Sequence, residues 1–112
     1  MTFTFPDGSV GVVDYLANGD KSFPKERLEV FCGGRVAVLD DFSALETVRN
    51  GHRHLEKMTQ DKGWKDEWVA FVNAIRTGGQ PPIPYEHLLG VTKATFAAIE
   101  SLRSGGHTVE VQ

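Results

Sequence analysis

The fold is decided by the stretch KERLEVFCGGRVAVLDDFSALETVRNGHRHLE, residues 25–56. Runs rich in Val, Leu and Phe alternate there with Gly33-Gly34 and Asn50-Gly51, dipeptides that readily take the positive φ angles of two-residue hairpin turns. The stretch therefore predicts an antiparallel sheet. Its predicted strands cover residues 25–32, 35–42, 45–49 and 52–56.

Two weaker strand signals lie outside this stretch. Residues 2–5 alternate polar and aromatic side chains, and the turn residues Pro6-Asp7-Gly8 separate them from the apolar run at 9–17, which predicts a second hairpin. Near the other end of the chain, the sequence HTVEV at 107–111 predicts a last strand.

The second half of the chain has a helical period. Apolar side chains recur at helical spacing from Trp64 to Ile75, and Gly78 is placed to end this first helix. After the prolines at 81, 82 and 84, a second helix is predicted from Tyr85 to Ser104, with Gly105 as its C-terminal cap.

Strands followed by helices, without βαβ alternation, predict an α+β fold forming a single domain over 1–112. We expect a mostly antiparallel sheet with two helices packed on one face and the other face available for dimerisation. Exposed apolar patches of that size usually mark interfaces. The residues predicted to form this dimer interface are Val13, Tyr15, Phe31 and Leu39.

Composition excludes several classes of protein. The apolar fraction of 40%, the charged fraction of 24% and the net charge of −3 are those of an ordinary globular protein. A negative net charge provides no excess of cations for phosphates, so a nucleic acid is not expected as a partner. The single cysteine, Cys32, fits a reducing cytoplasm and is expected to be a small buried core residue. We find no targeting segment and expect no membrane partner.

His52, His54 and Glu56 alternate along one predicted strand, so their side chains share a face and are the candidate metal ligands. If Asn50-Gly51 is a two-residue turn, Arg49 lies opposite His52 and Thr47 opposite His54, and a cation beside the site opposes metal binding. The competing interpretation, which we favour, is a solvent-facing polar strand.

The segment before the first helix offers a second candidate site. Asp61 is placed to cap the helix, and Lys62 and Trp64 are placed to reach a cleft or line its rim. The sequence contains no GxGxxG loop between a strand and a helix, no P-loop and no nucleophilic triad spacing, so no residue of this chain is assigned a catalytic or cofactor-binding role.

The segments FPDGSVGVVDYLANGD, PKERLEVF, GGRVAVLDDF, DKGWKDEWVAFVNAI, PIPYEHL and ATFAAIESLRSGGHTVEV resemble, in this order, the C-terminal part of glucose-fructose oxidoreductase/inositol dehydrogenase/MocA family proteins. The resemblance is closest to the C-terminal module of bi-domain oxidoreductases. It implies a domain for substrate binding and oligomerisation whose open sheet forms a homodimer.

The resemblance also implies what lies outside this sequence. A Rossmann domain of the parent protein would bind NAD(P) and carry the catalytic lysine of an EKP motif, for hydride exchange with a sugar-like or polyol substrate. Pro24-Lys25-Glu26 is not that motif, so we expect this chain alone to be inactive, with Lys62 and Trp64 as its contribution to the substrate cleft. The alternative is a standalone small α+β protein that binds a ligand or a metal.

Overall fold

The computed structural model describes residues 1–111 and confirms the α+β class, with mostly antiparallel strands and two helices. In chain order the elements are β1 (Thr2–Thr4), β2 (Val10–Val12), β3 (Arg27–Cys32), β4 (Arg35–Asp40), β5 (Ala44–Arg49), β6 (His52–Lys57), α1 (Trp64–Thr77) and α2 (Tyr85–Arg103).

The chain divides into two compact units. One comprises Met1–Tyr15 together with the chain from Lys65 onward, and holds the β1–β2 hairpin and the helices. The other comprises Leu16–Trp64 and holds the four-stranded sheet. The single domain over 1–112 and the packing of the helices on one face of the sheet stay predictions.

The four-stranded sheet has the order β3-β4-β5-β6, with every neighbouring pair antiparallel. Gly33 and Gly34 have φ angles of 54° and 73°, and Asn50 and Gly51 have φ angles of 51° and 74°. Two successive positive φ values are those of a type I′ turn, whose twist matches that of the strands it joins. Both predicted hairpins are therefore confirmed.

The cross-strand register assigns every side chain of this sheet to a face, because directly opposed residues point the same way and successive residues point opposite ways. We call one face the valine face, after its apolar residues Phe31, Val36, Val38, Ala44, Val48 and Leu55. We call the other the leucine face, after its apolar residues Leu28, Val30, Ala37, Leu39 and Leu45.

The turn between β4 and β5 begins earlier than the sequence predicted. Asp41 and Phe42, expected in the strand over 35–42, have φ angles of 45° and 53°, and Ser43 N–H donates to Asp40 O at 2.9 Å. A left-handed conformation is unusual for a bulky residue such as phenylalanine. Backbone hydrogen bonds from both flanking segments hold this turn, and they outweigh the strand preference of Phe42.

The helices agree closely with their predicted bounds. α1 ends at Thr77 and is followed by Gly78 at φ 64°, while α2 ends at Arg103, with Ser104 as its C-cap and Gly105 at φ 80°. Glycine reaches these left-handed φ values without the steric cost of a Cβ, which is why it commonly follows a helix end. Among the described residues, no Cα of α1 lies within 8 Å of a Cα of α2.

Two strand predictions were wrong, because one strand is shorter than predicted and the other does not form. The strand predicted over 9–17 is only Val10–Val12, and a further pair of backbone bonds joins Val13 to Met1. The strand predicted at 107–111 is absent. No neighbouring strand pairs with it, and His107 O instead accepts a hydrogen bond from Ser101 Oγ at 2.7 Å.

Burial is shallow throughout the part of the chain that the structure describes, where no side chain is buried. Cys32, predicted as a buried core residue, shares a face with Leu28 and Val30 as expected but is exposed. It lies on β3, an edge strand, next to the hairpin turn at Gly33-Gly34. A thiol at such a corner has neighbours on one side only.

Candidate functional site

The segment that follows β6 runs back along the strained β4–β5 turn. Met58 N–H donates to Ser43 O at 2.8 Å, and Asp61 N–H donates to Phe42 O at 3.2 Å. The amide of Gln60 adds a bond from Nε2 to Asp41 O at 3.1 Å. The left-handed turn is therefore fixed by residues 58–61, and these bonds also place Lys62.

Asp61 was predicted to cap α1, and the structure shows a related but different role. Its Oδ1 accepts a hydrogen bond from Gly63 N–H at 2.8 Å, which is an Asx turn two residues ahead of the helix start. Gly63 has φ 74°, so the chain bends sharply there. Asp61 shapes the approach to α1, since the N–H that it accepts from belongs to Gly63, just before the helix.

Lys62 forms an ion pair with Glu26, the residue before β3. Lys62 Nζ donates to Glu26 Oε1 at 2.8 Å, with the lysine side chain 26% exposed and the glutamate side chain 43% exposed. This hydrogen bond is the main cause that holds the pKa of Glu26 below its ordinary value, against a smaller opposing effect of desolvation. Asp41 N–H also donates to the backbone O of Glu26 at 2.8 Å.

The second oxygen of Glu26, Oε2, is shielded from solvent and has no hydrogen-bond partner. Next to it lies a cleft of ≈ 250 Å³, which we call the strand-end cleft; its lining residues are Lys25, Glu26, Arg27, Leu28, Leu39 and Phe42. Because an ionised carboxylate oxygen only accepts hydrogen bonds, Oε2 is an unsatisfied acceptor beside this largely apolar wall. The cleft contains no nucleophile paired with a base.

The two predicted substrate contacts, Lys62 and Trp64, therefore lie in different surroundings. Lys62 lies near the strand-end cleft, but its ammonium is engaged by Glu26. Trp64 begins α1, is 70% exposed and lines neither this cleft nor the cleft described below. The structure does not bring the two together at a common pocket. Glu26 was not identified as a site residue from the sequence. Pro24-Lys25-Glu26 was considered there only to show that this tripeptide is not the EKP motif.

The three candidate metal ligands lie on the leucine face of β6, as their alternation predicted, and all three are exposed. The register places Arg49 opposite His52 and Thr47 opposite His54, as expected from a two-residue turn at Asn50-Gly51. Among residues 1–111, no group of three His, Cys, Asp or Glu side chains is arranged to hold a metal ion.

The same register produces a row that the sequence analysis did not identify. At the end of the sheet that carries the turns 33–34 and 50–51, one row crosses all four strands on the leucine face. We call it the cationic row, and its members are Cys32, Arg35, Arg49 and His52. The hairpin turns at 33–34 and 50–51 predict the pairs Cys32–Arg35 and Arg49–His52. The pairing of Arg35 with Arg49 depends on the β4–β5 turn, which begins earlier than the sequence predicted.

The helical unit has a cleft of its own, of ≈ 340 Å³, which we call the helix cleft. Trp68 and Phe71 of α1 line it, with ring centroids 6.1 Å apart in an edge-to-face arrangement. The prolines 81 and 82, Ile83 and Leu88 form the remaining apolar wall, and Glu67 lies at the side. Its volume is at the lower end of the range of small-molecule sites, and the cleft is open, since Trp68 and Leu88 remain 67% and 50% exposed.

The predicted dimer interface does not form one surface of the sheet. Phe31 lies on the valine face and Leu39 on the leucine face, because their cross-strand partners belong to alternate rows. Val13 and Tyr15, 46% and 86% exposed, follow β2 in the other unit. The sequence left the register open, and only the observed pairing separates these residues.

Comparisons add no family to this geometry. No helix in the described part of the chain combines the length and the apolar character needed to cross a membrane. No family model matches the chain, and no significant match is found among curated proteins or solved structures.

Proposed function

We propose that this chain is an association module, the C-terminal substrate-binding and oligomerisation domain of an NAD(P)-dependent oxidoreductase for sugar-like or polyol substrates, without catalytic activity of its own. The observation that carries the proposal is the sheet itself. Apolar side chains remain exposed on both of its faces: Phe31 is 71% exposed on the valine face and Leu28 is 57% exposed on the leucine face. A sheet of this kind is stable when both faces are covered.

Charge favours the valine face as the one that meets a second copy of this chain. Its polar positions are three cations and three anions, namely Arg27, Arg53, Lys57, Glu29, Asp40 and Glu46. Arg27 pairs with Glu29, and Arg53 pairs with Glu46. A face of zero net charge, with its large apolar side chains in the two rows nearest the hairpin turns, can meet its own copy without net charge repulsion.

The leucine face is less suited to self-association. Arg35 and Arg49 lie side by side on it, and Glu56 is the one carboxylate at its strand positions. This imbalance of charge leaves the valine face as the one proposed to meet the partner.

The size of the sheet sets the expected affinity. Four strands of six residues cover about 20 by 20 Å. Two such faces packed against each other bury roughly 800 Å² of surface, without the additional area of the protruding side chains. Stable complexes usually bury about 1,200–2,000 Å². We therefore expect a homodimer with a dissociation constant in the micromolar range, unless other elements extend the interface.

Sedimentation velocity over a range of protein concentrations tests this assignment. Phe31→Lys introduces a charge at the most exposed apolar side chain of the valine face and should leave a monomer, because a buried unpaired ammonium is costly. Leu28→Lys, on the same strand but on the leucine face, is the matched control and should keep the dimer. Circular dichroism checks that both variants fold.

Two results would contradict the proposal. The first is a wild-type chain that stays monomeric at concentrations well above the micromolar range. The second is a dimer that survives Phe31→Lys but is lost in Leu28→Lys, which would move the interface to the leucine face.

The oxidoreductase part of the proposal is supported by the resemblance of the segments quoted above. NAD(P) would be bound by the Rossmann domain of the parent protein, which is the second partner that we propose, and the single cysteine fits a cytoplasmic location. Lys62 would act near the substrate by fixing Glu26, which lines the strand-end cleft.

The helix cleft supports a second candidate function, the binding of a small apolar ligand by a standalone α+β protein. Its aromatic wall of Trp68 and Phe71 is the specific observation in favour. Titration with a small aromatic alcohol, followed by tryptophan fluorescence, should saturate if the cleft binds ligands. Phe71→Arg should abolish the response, and Ile75→Arg, on the same helix but outside the lining, should not.

A further inference from the structure

The cationic row combines two features of the register. Arg35 on β4 lies directly opposite Arg49 on β5, and Arg49 lies directly opposite His52 on β6. Side chains in such positions leave the same face with Cβ atoms about 5 Å apart. Three groups rich in N–H donors therefore leave the sheet at one place, beside the two hairpin turns.

These cations have no counterion within the described chain. Neither Arg35 nor Arg49 has a carboxylate within 4.0 Å among residues 1–111, whereas both arginines of the valine face do. Glu56, the acidic residue at a strand position of the leucine face, lies two rows from His52, toward the opposite end of β6. Like charges directly opposed across strands destabilise a sheet, so this row bears an electrostatic cost that a bound anion would offset.

The arrangement indicates a compact anion of high charge. Guanidinium groups donate in a planar fork that fits phosphate and carboxylate oxygens bidentately, and two adjacent forks can share one tetrahedral group. The charges are concentrated in a single row at the sheet end, and the chain as a whole carries −3. An extended polyanion such as a nucleic acid needs cations spread along its length, and it is not favoured here.

We propose that Arg35, Arg49 and His52 form a binding site for a dianionic phosphate group, either inorganic phosphate or a phosphate monoester. The two guanidinium groups hold the phosphate oxygens between β4 and β5, and the imidazole of His52 donates from β6. Cys32 completes the row next to Arg35 and lies within reach of a bound ligand's substituent. The site lies on the leucine face and does not depend on the proposed dimer.

Amide NMR titration of the whole chain with inorganic phosphate, and separately with glycerol 3-phosphate, tests the site. Saturable shifts are expected at residues 32–36 and 48–53, and the comparison of the two ligands shows whether the ester is preferred. Sodium chloride at matched ionic strength is the reference, because diffuse charge effects respond to ionic strength alone.

Point variants distinguish phosphate binding at these residues from a general attraction of phosphate to positive charge. Arg35→Gln and Arg49→Gln should each weaken phosphate binding about tenfold or more, since each removes a charge-assisted bidentate donor. Arg76→Gln on α1 removes the same charge from the other unit and should leave the affinity unchanged. Phosphate should also slow the reaction of Cys32 with an anionic aromatic disulfide more than its reaction with uncharged iodoacetamide.

The proposal is overturned if phosphate produces no saturable shifts, or if Arg76→Gln weakens binding as much as Arg49→Gln does. The Phe31→Lys variant keeps this test apart from the association test. It should bind phosphate like the wild-type chain even when it no longer dimerises, so the failure of one proposal does not decide the other.

Discussion

At the scale of single residues, the chain is shaped by a few backbone positions with positive φ. Glycine supplies most of them, but Asp41 and Phe42 adopt the same conformation at a cost, since a Cβ in the left-handed region costs about 1–2 kcal/mol. The turn is held in place by hydrogen bonds that Gln60 and Asp61 donate to its carbonyl oxygens and by the bond that Asp41 N–H donates to Glu26 O. A turn so strongly held beside a cleft is typical of a functional site.

Gly51 and Gly19 allow a controlled test of this backbone effect. Neither would bring an added Cβ within 4 Å of another atom, but Gly51 has φ 74° whereas Gly19 lies outside the left-handed region. Gly51→Ala should lower the free energy of unfolding by about 1–2 kcal/mol. Gly19→Ala should leave it unchanged or slightly higher. Urea unfolding followed by circular dichroism measures both, and equal losses would show that conformation at Gly51 is not the cause.

At the scale of elements, the segment 58–63 closes one end of the sheet, and the ion pair between Lys62 and Glu26 fastens it. The hairpin pattern predicted the strands and their turns well, because Gly33-Gly34 and Asn50-Gly51 act locally. It did not predict the Glu26–Lys62 contact, since those residues are thirty-six positions apart. Only the closure of the sheet brings them together.

This ion pair gives a pH dependence with a definite sign. The pKa of Glu26 is lowered in the folded chain, chiefly by the hydrogen bond from Lys62. Its contribution to stability is therefore present above the ordinary pKa of a glutamate, and is lost as the pH falls through the lowered folded value. Lys62→Met should remove this contribution, so that the variant loses less stability on acidification than the wild-type chain.

Urea unfolding at neutral pH and at several acidic pH values provides the measurement. Lys21→Met is the control, because Lys21 belongs to the same unit and has no ion pair within the described residues. A wild-type and Lys62→Met difference that stays constant over the whole pH range would show that the pair does not couple to protonation of Glu26.

At the scale of the whole molecule, the decisive fact is how much apolar surface remains exposed in the described chain. Burial of apolar area stabilises folded proteins by about 25 cal/mol per Å², so residues 1–111, where no side chain is fully buried, gain less from this source than a closely packed domain does. Association is the direct way to supply the missing burial. We therefore expect the stability of this protein to rise with its concentration, as it does for proteins whose folding is coupled to assembly.

Cofactor binding tests the proposal that NAD(P) is bound by a separate Rossmann domain and not by this chain. Calorimetric titration of this chain with NADH and with NADPH should show no binding, because the sequence offers no glycine-rich turn between a strand and a helix to receive a pyrophosphate. The same titration of the chain joined to its proposed Rossmann domain should show binding. Clear binding to the chain alone would refute the view that the nucleotide site lies elsewhere.

The sequence by itself determined the α+β class, both two-residue hairpins and the ends of both helices, because those features arise from local turn chemistry, caps and periodicity. The tertiary structure decided what depends on pairing over distance. It separated Phe31 from Leu39, paired Arg35 with Arg49, joined Lys62 to Glu26 and left Cys32 exposed. Strand register and turn strain are set by partners far along the chain, and local residue patterns do not contain them.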